Sequence, residues 1–140
     1  PGSSGCWSAP TNTHWSRENR SVGLRVPGGP KEGRRVENRI AGSDANPYFA
    51  IATSLACGYL GMKEGLEPLA EFKGSAYEAR GKALPRHFLE GMKNMRRSKA
   101  IREIFGEAFV ETYLDAKEME YDSYSSVLSP WETKYLLLTV

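Results

Sequence analysis

The amino-acid sequence predicts an α+β fold in which a small antiparallel sheet is followed by a bundle of helices. Two short β-prone segments near the N-terminus are joined by a connection rich in Pro and Gly, which is typical of a hairpin. From residue 46 onward, apolar residues recur at helical spacing behind capping residues. A chain of 140 residues is about one domain long, so it can bury one core of modest size. No apolar run approaches the ~20 residues that span a bilayer, so a membrane partner is not predicted.

The β-prone part covers residues 15–41 and follows a Gly-, Ser- and Pro-rich loop at residues 1–14. Ser21–Val26 and Arg34–Ile40 are the two predicted strands. The segment PGGPKEG between them supplies the turn residues of a hairpin.

The first helix is predicted to begin at Asn46-Pro47, with Asn as the N-cap and Pro at the first helical position. A stripe of apolar side chains at helical spacing follows, and we expect this stripe to be buried and to anchor the second strand. The stripe consists of Tyr48, Ile51, Ala52, Leu55, Tyr59 and Met62. The helical part is assigned to residues 46–140, and residues 64–84 form its longest loop.

Four further helix signals follow along the chain. Pro85 is predicted to open a helix through Arg96, and Ser98 to cap a short helix that ends at Gly106. An amphipathic helix is predicted from Glu107 to about Ser123. The SPWE sequence at 129–132 has the residues of a capping box before the last helix.

Charge is unevenly distributed along the sequence. The net charge is +2, but residues 15–40 contain seven basic and three acidic residues, a local excess of four. This concentration of positive charge favours an anion-binding region. Cys6 lies in a Gly/Ser loop and Cys57 in an apolar helical pattern, so a disulfide framework is not expected and a reduced, cytoplasmic setting fits better.

The second predicted strand carries a pattern that suits phosphate chemistry. Alternation places Arg35, Glu37 and Arg39 on one face of the strand. A carboxylate between two guanidiniums stays ionised at neutral pH and is a good ligand for Mg²⁺. The guanidiniums themselves can bind phosphate or carboxylate oxygens in bidentate fashion.

Arg20 and Arg25 add two guanidiniums on the preceding segment, and Lys31 adds a mobile charge in the connecting loop. A spacing of five gives opposite parity, so either Arg20 lies just before the strand or a bulge intervenes. Together these residues favour a nucleotide–metal site. A solvated ladder of cross-strand ion pairs is the alternative interpretation of the spacing. Nucleic-acid binding is a weaker one, because Trp15 is the only aromatic residue near the basic cluster in the sequence.

Residues 15–62 closely resemble the C-terminal part of the catalytic domain of the glutamine synthetase family. The resemblance rests on Asn19-Arg20, on Arg25 five residues later, on the ENR triplet at 37–39, and on the GSDANPY segment at 42–48. It extends in looser form to the closing SPWETKYLLLTV segment. The resemblance implies that the chain is a C-terminal fragment of this α+β catalytic domain.

The resemblance also implies a reaction and roles for two residues. Glu37 matches the glutamate that ligates a metal, Mg²⁺ or Mn²⁺, between ATP and the amino-acid substrate. Arg39 matches the arginine that contacts the substrate glutamate and its developing γ-phosphate. In the implied reaction, ATP phosphorylates the γ-carboxylate of glutamate, and an amine then attacks the acyl phosphate.

Four basic residues match positions on the nucleotide side of the family's site. Arg20 and Arg25 match arginines on the ATP phosphates, and Arg20 is the closer to the transferred group. Arg35 matches a nucleotide-side arginine, and Lys31 lies in a loop whose length varies in the family. The resemblance therefore implies ATP, glutamate and an amine or ammonia as ligands, and a homo-oligomeric double ring.

The loop at the N-terminus departs from the ammonia-using members, which carry a glutamate just before Ala-Pro. Here Trp7 and Ser8 precede Ala9-Pro10, and residues 1–12 contain no acid. An ammonium ion needs acceptors, whereas a longer amine can also use apolar and aromatic surface. The loop is therefore more similar to the γ-glutamylpolyamine (γ-glutamylputrescine) synthetase branch, with ammonia or a non-catalytic relative as alternatives.

The resemblance places several family features outside these 140 residues. They include the N-terminal β-grasp domain, the first part of the catalytic domain, and the remaining metal ligands. Because Glu37 alone cannot hold two or three metal ions, we expect the isolated chain to be inactive.

Overall fold

The computed structural model describes residues 9–79 and 83–137. They form two compact units, a first unit within Pro1–Pro85 and a second unit within Arg86–Val140. The first unit contains β1 (Trp15–Arg17), β2 (Leu24–Val26), β3 (Glu37–Asn38) and α1 (Pro47–Lys63). The second unit contains α2 (Phe88–Arg97), α3 (Lys99–Phe105), α4 (Glu107–Ser125) and α5 (Pro130–Tyr135). The expected combination of a small sheet and helices is confirmed.

The sheet has the strand order β1-β2-β3, with β1 parallel to β2 and β2 antiparallel to β3. The predicted hairpin is therefore present as β2 and β3, but both strands are shorter than predicted. Ser21 lies in a turn instead, because its amide and hydroxyl donate to Asn19 Oδ1 at 2.9 and 2.7 Å. In the connection, Lys31–Gly33 form a 3-10 turn. Strand β1 was not predicted.

The long loop after α1 is fixed along β1 by hydrogen bonds. The amide of Phe72 donates to the Trp15 carbonyl at 3.0 Å, and Trp15 Nε1 donates to the Leu69 carbonyl at 2.6 Å. Further along, the carbonyl of Ala76 accepts from Asn12 Nδ2 at 2.6 Å. The loop is therefore part of the scaffold that surrounds the sheet.

Helix α1 begins as predicted, but it does not bury the predicted stripe. Asn46 Oδ1 accepts from the amides of Tyr48 and Phe49 at 3.0 and 3.2 Å, which confirms the N-cap. The apolar side chains of the stripe are mostly exposed, with Tyr48 86% and Leu55 70% exposed.

Apart from Ala52, the half-buried positions of α1 lie outside the stripe, and they include Ser54. Its hydroxyl accepts a hydrogen bond from Asn38 Nδ2 at 2.8 Å. The expectation of a buried stripe that anchors the strand is therefore wrong for these residues. Because α1 is largely apolar all round, sequence periodicity could not identify the inward face.

The second unit has a small apolar core made by α2, α3 and α4. Met92, Val110 and Leu114 are buried, and Met95, Ile101 and Phe105 pack against them. Helix α2 begins at Phe88, three residues later than predicted. Its N-cap position is His87, whose side chain makes no capping hydrogen bond.

The remaining helix limits follow the sequence signals. Ser98 Oγ accepts from the Ile101 amide at 3.3 Å, and Gly106 ends α3 with a φ of 80°. In α5 the capping box is complete, with Ser129 Oγ and the Glu132 carboxylate each accepting from the other residue's amide. Among the described residues, none of the helices has the combination of length and hydropathy that a bilayer crossing requires.

Candidate functional site

The centre of the site is a cross-strand pair between β2 and β3. Arg25 and Glu37 lie opposite each other in the antiparallel register, so their side chains share one face of the sheet. Arg25 Nη1 donates to Glu37 Oε2 at 2.9 Å. The two side chains are 13% and 28% exposed, so the pair is more sheltered than an ordinary surface ion pair.

Arg35 holds the other carboxylate oxygen of Glu37. Its Nε and Nη2 lie 3.0 and 2.8 Å from Glu37 Oε1. The hydrogen bond from Arg25, followed by that from Arg35, lowers the pKa of Glu37 below its usual value, although partial burial opposes the shift. The carboxylate is therefore ionised at neutral pH, as the sequence pattern predicts.

Arg39 takes a different position from the one that alternation predicts. Its Nη1 donates to the backbone carbonyls of Arg20 and Val22, the latter at 3.3 Å. The Arg39 amide donates to the Gly23 carbonyl at 2.9 Å, so the backbone here follows the turn before β2. Glu37 is consequently held between Arg25 and Arg35. The expectation that Arg35 and Arg39 flank it is therefore wrong for Arg39.

Arg20 and Lys31 border this group of residues. Arg20 lies in the turn that precedes β2, which confirms the first of the two alternatives for its parity. Its side chain is exposed, and Lys31 is exposed on the 3-10 turn. Both lie where an anion from solvent can reach them. Trp7 and Ser8, the residues predicted for the amine side, lie outside the described residues.

Glu18 is a member of the site that the sequence analysis did not single out. Its Oε2 accepts from Arg25 Nη2 at 2.8 Å, and its Oε1 accepts from the amide of Gly28. The hydrogen bonds from Gly28 and then Arg25 lower the pKa of Glu18. The local sequence gives no signal for this contact, because Glu18 and Arg25 come from separate segments. The left-handed backbone of Glu18, with a φ of 53°, is visible in the structure alone.

The opposite face of strand β2 is apolar. Leu24 and Val26 flank Arg25 in the strand and therefore point away from the Arg25–Glu37 pair. With Trp15, Val36 and the loop at 68–70 they line a pocket of about 420 Å³. Strand β2 thus presents Arg25 on one face and apolar side chains on the other.

The described residues do not complete a metal site. Glu37 offers one carboxylate, whereas Mg²⁺ takes six oxygen ligands, including water. Within residues 9–79 and 83–137 there is no group of three His, Cys, Asp or Glu side chains that could hold a metal ion. Within this described part of the chain, Glu37 is thus one carboxylate of an incomplete ligand set.

Comparison with known proteins places this arrangement in a family. Residues 4–136 match the family model of the glutamine synthetase catalytic domain. The chain belongs to the glutamine synthetase catalytic-domain family. The motif and the charged hairpin on which the sequence analysis relied lie within the matched residues.

Three similar proteins illustrate the range of the family. The chain is 36% identical over 139 residues to a glutamine synthetase of Methanosarcina mazei, covering 93% of this chain and 31% of that protein. It is 34% identical over 128 residues to the gamma-glutamylethanolamide synthetase GlnA4 of Streptomyces coelicolor, covering 90% and 27%. A solved structure, "Apo GmaS without ligand", superposes with a TM-score of 0.76 at 26% identity, covering 93% and 30%. The chain thus spans about a third or less of the length of these relatives.

Proposed function

We propose that the intact protein is an ATP-dependent glutamate–amine ligase that forms a γ-glutamyl amide through γ-glutamyl phosphate. The observation that carries the proposal is the Arg25–Glu37–Arg35 group on one face of the sheet, in a chain of the glutamine synthetase catalytic-domain family. Guanidiniums held in fixed positions by a carboxylate are suited to the charge of a transferring phosphoryl group. Acyl hydrolysis would instead need an activated nucleophile.

The proposed reaction has two steps. A γ-carboxylate oxygen of glutamate attacks the γ-phosphorus of ATP, and the bond from that phosphorus to the ADP oxygen breaks. The amine nitrogen then attacks the γ-carbonyl carbon, phosphate leaves, and the nitrogen loses a proton. ADP leaves in the first step and phosphate in the second, so cationic side chains that stabilise the leaving anion assist both steps.

The arginines divide this work between two ligands. Arg20, Arg25 and Arg35 bind the ATP phosphates, with Arg20 nearest the transferred group. Lys31 adds a further positive charge on the 3-10 turn. Arg39 binds the substrate glutamate and its developing phosphate. To do so, its guanidinium leaves the backbone carbonyls of Arg20 and Val22 and contacts the ligand instead. Binding in this way fixes the γ-phosphorus against the attacking carboxylate.

Glu37 is also proposed as one ligand of Mg²⁺ or Mn²⁺. When bound, the ion would neutralise phosphate charge. The described residues do not contain a group of three His, Cys, Asp or Glu side chains that could hold a metal ion, so Glu37 would need further ligands for it.

A polyamine such as putrescine is the proposed acceptor. Residues 1–12 contain no acid that could take a proton from ammonium, and Trp7 offers aromatic surface beside Ser8. The relative from Streptomyces coelicolor, whose name gives γ-glutamylethanolamide as its product, is consistent with an organic amine as acceptor. Ammonia is the second candidate, because the relative from Methanosarcina mazei is a glutamine synthetase.

The assembly and the location of the protein are proposed from the family resemblance. We propose a cytoplasmic homo-oligomer built as a double ring, with glutamate, ATP and an amine as its ligands and with no nucleic-acid partner.

The deciding experiment supplies the intact protein with glutamate, ATP and Mg²⁺ together with putrescine, ethanolamine or ammonium. We expect γ-glutamyl amide and ADP to form in equal amounts, with kcat/KM highest for putrescine. A higher value with ammonium would make the protein a glutamine synthetase proper. If no amine supported amide formation, a non-catalytic relative would be the correct assignment.

A further inference from the structure

We propose that Glu18 is a positioning residue that holds the Arg25 guanidinium in place for the phosphate groups of ATP. The inference rests on the proposed function for its ligand, but the contacts that carry it are independent of the reaction. Two carboxylates hold Arg25, the amide of Gly28 holds Glu18, and N–H groups of Arg25 remain for a ligand.

Arg25 is gripped at both terminal nitrogens by carboxylates from different segments. Nη1 lies 2.9 Å from Glu37 Oε2 on β3, and Nη2 lies 2.8 Å from Glu18 Oε2 just after β1. A single carboxylate would leave the planar guanidinium free to rotate about that contact. Two carboxylates on separate elements fix both the position and the plane of the group.

Glu18 is itself held by the backbone around it. Its amide donates to the Val26 carbonyl at 3.3 Å, and its second carboxylate oxygen accepts from the amide of Gly28. Its φ of 53° lies in the left-handed region, which a residue with a Cβ rarely adopts. A Cβ at Gly28 would stand 3.0 Å from Glu18 Oε1, so the two groups are in close contact and a larger residue there would make the carboxylate shift. The carboxylate is therefore placed by the fold and does not swing freely.

The environment of Arg25 distinguishes this pair from an ordinary surface ion pair. The Arg25 side chain is 13% exposed, whereas Arg17, which pairs with Glu71 at 3.7 Å, is 70% exposed. A sheltered cation needs nearby anions to remain in place without a ligand. Glu18 and Glu37 provide them before nucleotide arrives.

The two carboxylates still leave donors for a ligand. A guanidinium carries five N–H groups, two on each terminal nitrogen and one on Nε. The contacts to Glu18 and Glu37 use one N–H on each terminal nitrogen. The second N–H of each can donate to phosphate oxygens, so Glu18 can orient Arg25 without displacing the nucleotide.

The test is Glu18→Gln in the intact protein, because glutamine still accepts from the Gly28 amide but removes the charge beside Arg25. Calorimetric titration with Mg-ATP should show about fivefold weaker binding, the effect of losing one partly exposed ion pair. The KM for glutamate and the melting temperature should stay unchanged. Glu32→Gln, an exposed acid on the 3-10 turn, is the matched control and should bind Mg-ATP as the wild type does.

A second measurement follows Arg25 directly and needs no ligase activity. Phenylglyoxal modification, read by mass spectrometry, should be slower at Arg25 than at the exposed Arg34. In Glu18→Gln the Arg25 rate should rise about fivefold relative to Arg34, and in Glu32→Gln it should not change.

The outcomes separate this inference from the proposed function. Unchanged ATP affinity in Glu18→Gln would overturn the positioning role, even in an active ligase. An unchanged modification rate at Arg25 would overturn it as well. If the wild type made no γ-glutamyl amide, the proposed function would fail, and the ATP titration and the modification rates would still decide the role of Glu18.

Discussion

Among the described residues, the first unit buries polar side chains beside the apolar Val22 and Ala76, whereas the second unit buries apolar side chains. Asn12, Ser16 and Ser21 are buried in the first unit, where Asn12 and Ser21 tie the loop at Ala76 to the sheet. The second unit buries Met92, Val110 and Leu114 against each other.

The difference is related to what each unit contains: a charged site in the first and packed helices in the second. Apolar packing is non-directional, and it is sufficient for holding helices together. A charged site needs defined directions, which hydrogen bonds to backbone groups supply. We therefore expect the first unit to respond most to changes of charge and hydrogen bonding, and the second to changes of side-chain volume.

The largest effect is expected from Glu37→Ala in the intact protein. Removing the carboxylate frees Arg25 and Arg35, so we expect ligase activity to fall by about 100-fold or more. Amide formation with the preferred amine measures it, and Glu32→Ala is the control. Retained activity in Glu37→Ala would refute the central assignment.

A loss of stability confined to the second unit is expected from Leu114→Ala. Leu114 is fully buried, and a cavity of this kind costs about 3 kcal/mol. Hydrogen exchange in α4 should therefore accelerate by about 100-fold, because local opening becomes easier by that free energy. Met119→Ala removes a side chain on the same helix that is 74% exposed, and it should leave exchange nearly unchanged. Equal effects of the two variants would contradict an apolar core at Leu114.

The smallest effect is a pH dependence in the first unit. Glu71 accepts from the Arg17 amide at 2.8 Å and pairs with Lys73 at 3.0 Å. These contacts lower the pKa of Glu71 from its usual 4.5 to about 2. Because the folded-state pKa is the lower one, the stabilisation is complete above pH 4.5 and is lost as the pH falls toward 2.

Urea unfolding of wild type and Glu71→Gln at two pH values tests this sign. The wild type should exceed the variant in stability at pH 6, and the difference should shrink at pH 3. Glu67→Gln, an exposed acid in the same loop, should show no such difference. A gap for Glu71→Gln that grows on acidification would show that the carboxylate does not stabilise the fold.

Local signals along the chain predicted a large part of this structure. Asn46, Ser98 and Ser129 cap their helices as expected, since a cap involves residues only two or three positions apart. The turn-rich connection predicted the antiparallel pairing of β2 with β3. Pro85 does not start α2, which begins at Phe88 after His87, and no side chain caps this start.

Within the site, sequence alternation predicted the charged strand and the ionised carboxylate of Glu37 but not its partners. Alternation along one strand favours Arg35 and Arg39, because it contains no information about the neighbouring strand. The register decides that Arg25 stands opposite Glu37, and the carbonyls of the turn before β2 take Arg39 instead. The contacts of Glu18 depend on β1, which the sequence did not reveal.

The sequence by itself thus determined the helix caps, the hairpin, the concentration of positive charge and the family motif. All of these depend on residue types and short spacings. The tertiary structure alone decided which arginines hold Glu37, that Glu18 shares Arg25, and that α1 turns Ser54 toward β3 while Leu55 is exposed. The contacts of Arg25 with Glu18, of Arg25 with Glu37 and of Asn38 with Ser54 join residues 7, 12 and 16 positions apart. The geometry of such contacts is set by strand register and packing.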